Sequence, residues 1–157
     1  NLTTLYQEII RTSNSVEVDL SIIRDKLQEE DDSPGAFYCE YALFKEIYHL
    51  ECRSASRNGQ SIYLCLISAT DGNNHVLENL KQHNVAIDQL RNAIQYSLRR
   101  GDVFTRYSVS QYLILLPTIS YENCEMVLKR IQRNFKLNNS HSKVTLTYKI
   151  QPLTPNM

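Results

Sequence analysis

The sequence predicts an α+β domain: an antiparallel sheet laid down in βαββαβ order with helices packed on it, preceded by an N-terminal helical extension. Three observations predict this. Apolar residues recur at helical spacing in long stretches, and two runs, Ile62–Ile67 and Tyr112–Leu116, are continuously apolar at strand length. Val144, Leu146, Tyr148 and Ile150 then alternate with Thr145, Thr147, Lys149 and Gln151, the period of a half-exposed strand. With 157 residues, 42% of them hydrophobic, the chain can bury a core of one domain plus an extension.

At the N-terminus, Leu2, Leu5, Tyr6, Ile9 and Ile10 share one helical face, and Val16, Leu20, Ile23 and Leu27 form a second. Thr12-Ser13-Asn14-Ser15 between them suits a helix end and a new cap. The run Glu29-Glu30-Asp31-Asp32-Ser33-Pro34-Gly35 breaks the pattern, which divides the chain into a helical hairpin (1–34) and an α/β domain (35–157). The acids in that run are most simply a solvated loop before a helix N-terminus.

From Ala36 to about Arg57 the stripe Phe37, Tyr41, Phe44 and Tyr48, with Leu43, Ile47 and Leu50 beside it, predicts one long helix that Asn58-Gly59 ends. Ser61–Ser68 reads as a buried strand and Thr70–His75 as a loop. A second helix follows, with Leu80, Ile87, Leu90, Ile94 and Leu98 inward and Arg99, Arg100 and Gly101 closing it. Val103–Arg106 and Gln111–Leu116 form a hairpin around Tyr107-Ser108-Val109-Ser110, and Pro117 stops its second strand. Ser120 is a candidate cap for the helix carrying Cys124, Val127, Leu128, Ile131 and Phe135, and the alternating strand ends the domain. This is the split-βαβ, ferredoxin-like order, with the helices expected on one face of the sheet.

Composition excludes several functions. Lys+Arg and Asp+Glu are both 17, so no basic excess exists to neutralise duplex DNA or RNA. No apolar run has the roughly 18–20 residues of a membrane span. Ten tyrosines could stack on bases, but Tyr41, Tyr48 and Tyr148 fall on apolar stripes and no Gly-aromatic strand signature accompanies them. Cys39, Cys52, Cys65 and Cys124 show no metal-ligand spacing and read as buried free thiols of a reducing cytoplasm. His49, His75, His83 and His141 lie far apart without a carboxylate partner and read as surface or packing residues. No nucleophile–base pattern is present, and no cofactor is expected. Because the chain opens on Asn1 without a leader, it reads as a piece of a longer protein.

Several strings resemble the GGDEF domain of bacterial diguanylate cyclases. Leu98-Arg99-Arg100-Gly101-Asp102-Val103-Phe104-Thr105-Arg106-Tyr107 is similar to the run into that family's signature hairpin, and Tyr112-Leu113-Ile114-Leu115-Leu116-Pro117 to the strand leaving it. The helix, Asn-Gly and apolar strand from Phe44 to Ile67 resemble the family's first helix and strand, so the likeness spans roughly residues 36 to 152. It implies that the Gly-Gly-Asp/Glu-Glu-Phe signature falls on Ser108, Val109, Ser110, Gln111 and Tyr112. It also implies that a metal-binding Asp falls on Ser68 and a nearby acidic position on Thr70, with Asp71 close by. Hydroxyls and a carboxamide lack the charge that a hard divalent cation prefers, so catalysis and a metal are not expected. The Arg-x-x-Asp inhibitory site of the family, which binds cyclic di-GMP, is matched by Arg99 and Asp102; the bland reading is a helix end followed by a turn.

Leu5–Ile10, the Thr-Ser-Asn-Ser turn and Gly35–Tyr41 further resemble a region of multidomain bacterial transcriptional activators of the BTAD (SARP-like) type. Together these readings imply a non-enzymatic regulatory or interaction module of a cytoplasmic regulator, with cyclic di-GMP reception as the alternative and cyclase activity less expected. The expected partners are a second copy, through the N-terminal apolar stripe, or other domains of the same regulator. Neither direct DNA contact nor a membrane is expected.

Overall fold

The computed structural model describes residues 2–13, 19–28, 33–117 and 119–153, with only the backbone described at 10–13. Asn14 and Ser15 of the expected cap, Val16 and the acidic run 29–32 lie outside what is described. The chain forms two compact units, Asn1–Ser33 and Pro34–Met157.

The first unit holds α1 (Leu2–Ser13) and α2 (Leu20–Leu27). Asp19 caps α2 by accepting the Ser21 N–H (3.1 Å), and Lys26 pairs with Glu8 across the two helices (3.5 Å). Both helices are amphipathic, yet Leu2, Leu5, Tyr6 and Ile9 on α1 and Leu20, Ile22 and Leu27 on α2 are exposed.

The second unit runs β1 (Phe37–Tyr38), α3 (Tyr41–Asn58), β2 (Ile62–Thr70), α4 (Leu80–Ser97), β3 (Val103–Ser108), β4 (Gln111–Pro117), α5 (Tyr121–Asn138) and β5 (Thr145–Leu153). The sheet order is β1-β3-β4-β2-β5. β2 pairs antiparallel with β4 on one side and β5 on the other, β3 pairs antiparallel with β4, and β1 runs parallel to β3. The βαββαβ core is therefore the ferredoxin-like arrangement that the sequence predicts, with one short strand added at an edge.

That strand corrects the expected helix over 36–57. Gly35 adopts φ +86°, and the next residues bond outward: Ala36 N–H to the Gln95 carbonyl (3.0 Å), Phe37 N–H to Asp102 (2.9 Å) and Cys39 N–H to Phe104 (3.1 Å). Extended pairing to β3 thus wins over the helical stripe, and α3 begins only at Tyr41. Gly59 ends α3 in the left-handed conformation as expected, its N–H on the Ala55 carbonyl (2.8 Å).

The helices do not all lie on one face. α4 and α5 cover one side, where Cys65, Ile67 and Ala69 of β2 meet Ile87, Leu90, Ile94, Cys124, Leu128 and Ile131. α3 covers part of the other, packing Phe44 and Ala55 on Ile62, Val103 and Leu115. Leu43 and Leu50 stay exposed, because α3 meets the sheet along one line only. Leu80, expected inward on α4, is 60% exposed, and His83, Ala86 and Ser97 take inner positions instead. The expected closing arginines lie beyond the end of α4; the Ser97 carbonyl is satisfied by Arg130 and its hydroxyl by Asn134 (2.9 Å), both from α5. Cys39, Cys65 and Cys124 are buried free thiols, with Cys65 and Cys124 Sγ 3.4 Å apart, and Cys52 is partly buried.

A Cβ at Gly35 would overlap the Gln95 carbonyl, and φ +86° is itself unfavourable for an L side chain. Gly35→Ala should destabilise the domain by about 2 kcal/mol or more. Urea unfolding of the two proteins checks this; a loss below about 0.5 kcal/mol would mean that β1 is not held as described.

Candidate functional site

β3 runs two residues further than the sequence implies, to Ser108, while β4 begins at Gln111 as expected, leaving Val109 and Ser110 as the turn. A register shift between Arg106 and Ser108 leaves Tyr107 without a partner in the ladder, and Arg106 donates to the Ser108 carbonyl (Nε, 3.1 Å). The turn is then fastened to the domain at two points. Ser110 C=O accepts from Ala69 N–H on β2 (2.8 Å). On α4, His83 accepts the Leu77 N–H at Nδ1 (3.2 Å), so Nε2 carries the proton and faces Val109 O (3.2 Å) and Ser110 Oγ (3.0 Å).

These contacts gather the positions that the resemblance marks. Ser68 at the end of β2 stands directly opposite Gln111. Gln111 Nε2 donates to Ser68 Oγ (3.2 Å), Ser108 Oγ donates to Gln111 Oε1 (3.0 Å), and Ser110 N–H donates to Ser108 Oγ (3.2 Å). Thr70 Oγ1 accepts from Gly72 N–H (3.1 Å). Ser68, Thr70, Ser108, Val109, Ser110 and Gln111 line one groove of about 550 Å³, together with Asn74, Thr147 and Lys149. The groove occupies the half of the sheet face that α3 leaves open. Tyr112 points to the opposite face and is buried among Phe104 and Ile87.

Among the described residues no carboxylate lines the groove. The nearby Asp71 is exposed and turns into its own loop, where its Oδ1 accepts from Asn73 N–H (2.7 Å) and His75 N–H (3.2 Å). Those backbone bonds, the one from Asn73 foremost, hold its carboxyl below the usual range. Among the described residues no cluster of His, Cys, Asp and Glu could hold a metal ion. Hydroxyls and carboxamides bonded to one another do not fit Mg²⁺, which wants anionic oxygens.

Arg99 and Asp102 also come together, but with each other. Asp102, 2% exposed, accepts from Arg99 N–H (2.8 Å), Nε (3.4 Å) and Nη2 (3.1 Å), and Arg99 Nη2 also reaches the Pro117 carbonyl (2.9 Å). A second groove of about 640 Å³ lies beside the pair, lined among others by Gln60, Asn123 and Arg130.

His83, Asn74, Thr147 and Lys149 were not singled out from the sequence as site residues. Lys149 and Thr147 were legible only as the exposed face of the last strand, and nothing in one sequence says that strand borders the hairpin. His83 had a usable signal, since it sits on the inner helical stripe four residues before Ile87.

Neither a family model nor a curated protein sequence matches the chain. Solved structures do. The GGDEF domain of DgcB from Caulobacter crescentus, solved in complex with c-di-GMP, superposes with TM-score 0.60 at 13% identity, over 82% of this chain and 81% of that one. A longer form of DgcB with its coiled coil, also with c-di-GMP, gives 0.58 at 14% identity over 98% of this chain and 82% of that one. The diguanylate cyclase SiaD from Pseudomonas aeruginosa, solved with its activator SiaC, gives 0.58 at 18% identity over 99% of this chain, which spans 59% of SiaD. The fold is that of a GGDEF domain; at these identities the likeness concerns the fold alone.

Burial raises the Tyr112 hydroxyl to about 12, and that hydroxyl donates to the Ile87 carbonyl (3.0 Å). A free tyrosine titrates near 10. With the folded value raised, the neutral group's stabilising share is complete below about pH 10 and lost as pH rises through about 12. Urea midpoints at pH 9, 10 and 11 should therefore fall more for the wild type than for Tyr112→Phe; parallel curves would remove Tyr112 as the cause.

Proposed function

We propose that this domain is a non-catalytic regulatory and interaction module built on the GGDEF fold, part of a bacterial signalling or transcription regulator working in the cytoplasm. The observation that carries this reading is the neutral Ser68–Gln111–Ser108 network. Phosphoryl transfer from a nucleoside triphosphate needs divalent cations to neutralise charge on the phosphates. Here the positions that would supply anionic ligands hold a carboxamide and hydroxyls that satisfy one another. Its work would be to couple occupancy or partner contact to other domains of the same regulator. The direct test is incubation with GTP and Mg²⁺ or Mn²⁺ followed by chromatography. No cyclic di-GMP is expected above a protein-free control, and turnover of product would overturn the reading.

A second reading, reception of cyclic di-GMP at Arg99 and Asp102, draws on the groove that both Arg99 and Arg130 line. Guanidinium groups suit bidentate contact with phosphate or a guanine edge. Calorimetric titration with cyclic di-GMP should then give saturable heat that Arg99→Ala abolishes. No heat in either protein leaves the interaction module alone.

The exposed stripe Leu2, Leu5, Tyr6 and Ile9 supports a homodimer through α1, in keeping with the alignment of nearly the whole chain onto a coiled coil plus GGDEF domain. Sedimentation at micromolar concentration should show a dimer that Leu5→Glu with Ile9→Glu converts to monomer. A monomeric wild type would count against it.

A further inference from the structure

We propose that Cys65 and Cys124 are a dithiol that a hydroperoxide oxidises to a disulfide, tying α5 covalently to β2. The two sulfurs lie 3.4 Å apart, and both residues are fully buried. Cys65 is in register with Ile114 on β4 and Ile150 on β5, so strand pairing fixes it from both sides. Cys124 stands on the first turn of α5, where its N–H bonds to the Ser120 carbonyl (2.9 Å). The two are 59 positions apart in the chain and meet because the core layer of Ile67, Leu90, Ile114, Leu128 and Ile131 seats α5 on the sheet. Among the described residues this is the one pair of thiols in contact, since Cys39 packs on the other face with Phe44 and Cys52 lies on α3. Bringing the sulfurs to the roughly 2.0 Å of a disulfide bond takes a small side-chain rotation on each side.

The pair divides the chemistry between its members. The hydrogen bond between the sulfurs, helped by burial, keeps Cys65 protonated above the usual thiol range, and the same bond lowers Cys124. Cys124 is therefore the attacking sulfur. Its thiolate takes one oxygen of the hydroperoxide, the O–O bond breaks, and the released hydroxide picks up a proton to leave as water. Cys65 then attacks the sulfenic sulfur of Cys124, the S–O bond breaks, and the proton that Cys65 loses leaves with that hydroxyl as a second water. Two thiols lose two electrons and one hydrogen peroxide becomes two waters. Burial and the Glu125 and Asp102 carboxylates oppose the thiolate, so the reaction is slow. A route exists for a small uncharged oxidant: the groove of about 640 Å³ beside Arg99 is lined by Ser120, Asn123 and Val127, the neighbours of Cys124 along α5. The tie has consequences beyond the two residues. α5 also holds the end of α4, through Arg130 on the Ser97 carbonyl and Asn134 on its hydroxyl. A cross-link between β2 and α5 closes a long loop and restricts the unfolded chain, so the oxidised domain resists unfolding more than the reduced one.

The test is treatment of the full chain with hydrogen peroxide, blocking of remaining thiols with N-ethylmaleimide in denaturant, and mapping of tryptic peptides by mass spectrometry. Trypsin leaves each cysteine in its own peptide, Cys65 in residues 58–81 and Cys124 in residues 107–129. A linked pair of those two peptides is expected from monomeric protein. The melting temperature should rise by about 5 °C or more and return to its starting value with dithiothreitol. Cys124→Ala should remove both the linked pair and the rise; Met126 and Met157 oxidise alike in both proteins, so the variant also corrects for them. If the variant does not fold, the wild-type peptide map and its reversal by dithiothreitol decide alone. Cys65 and Cys124 both alkylated after peroxide, a link found only between two chains, or a Cys65–Cys124 link without a rise in melting temperature overturns the proposal. None of these readouts depends on whether the domain turns over nucleotide.

Discussion

Everything at the groove depends on β2 being paired along both edges. Seven residues of β4 and nine of β5 are in register with it, so the position of each side chain on either face is fixed to within one residue. A slip of one would turn Cys65, Ile67 and Ala69 out of the layer they share with α4 and α5 and drive Leu66 and Ser68 into it. The apolar cost of that slip is what holds Ser68 between Gln111 and Thr147. The polar site is therefore placed by hydrophobic burial on the opposite face of the same strand.

The hairpin turn would be free to move on such a scaffold were it joined only through β3 and β4. Attachments at two points prevent this: Ala69 N–H to Ser110 O, and the His83 ring to Val109 and Ser110. His83 is 1% exposed and its other nitrogen holds Leu77 N–H, so the ring ties the segment leading into α4 to the turn. Leaving such buried groups unpaired costs more than the bonds themselves contribute, on the order of 1–3 kcal/mol for each orphan. The turn is thereby fastened to β2 and α4 as well as to its own two strands.

Most of the architecture was legible because hydrophobic period is a local property. The continuous runs of β2 and β4, the alternation of β5 and the stripes of α4 and α5 could each be read without knowing their neighbours. β1 could not. Phe37, Tyr41, Phe44 and Tyr48 satisfy a helical period, and what makes Phe37 and Tyr38 a strand is pairing with Val103 and Phe104 more than sixty residues away. The site divides the same way. Ser68, Thr70 and Ser108–Gln111 were found through a family pattern that fixes positions in the chain. Lys149 and His83 belong to the groove and the turn only through strand order and helix packing, which no short motif encodes.

The same distinction bears on Arg99 and Asp102. As letters they match a recognition motif, and letters carry no information on whether two side chains face a ligand or each other. In the fold, Asp102 is enclosed and takes three bonds from Arg99, closing the turn between α4 and β3. Withdrawing Arg99 would leave a carboxylate buried with its main charge partner gone, a state that costs several kcal/mol even after relaxation. A ligand at that groove would therefore have to engage the outer edge of Arg99 while the pair stays closed, using Gln60, Asn123 and Arg130 for its remaining contacts. Asp102 serves the turn first, and any recognition there is built around an ion pair that already has a structural role.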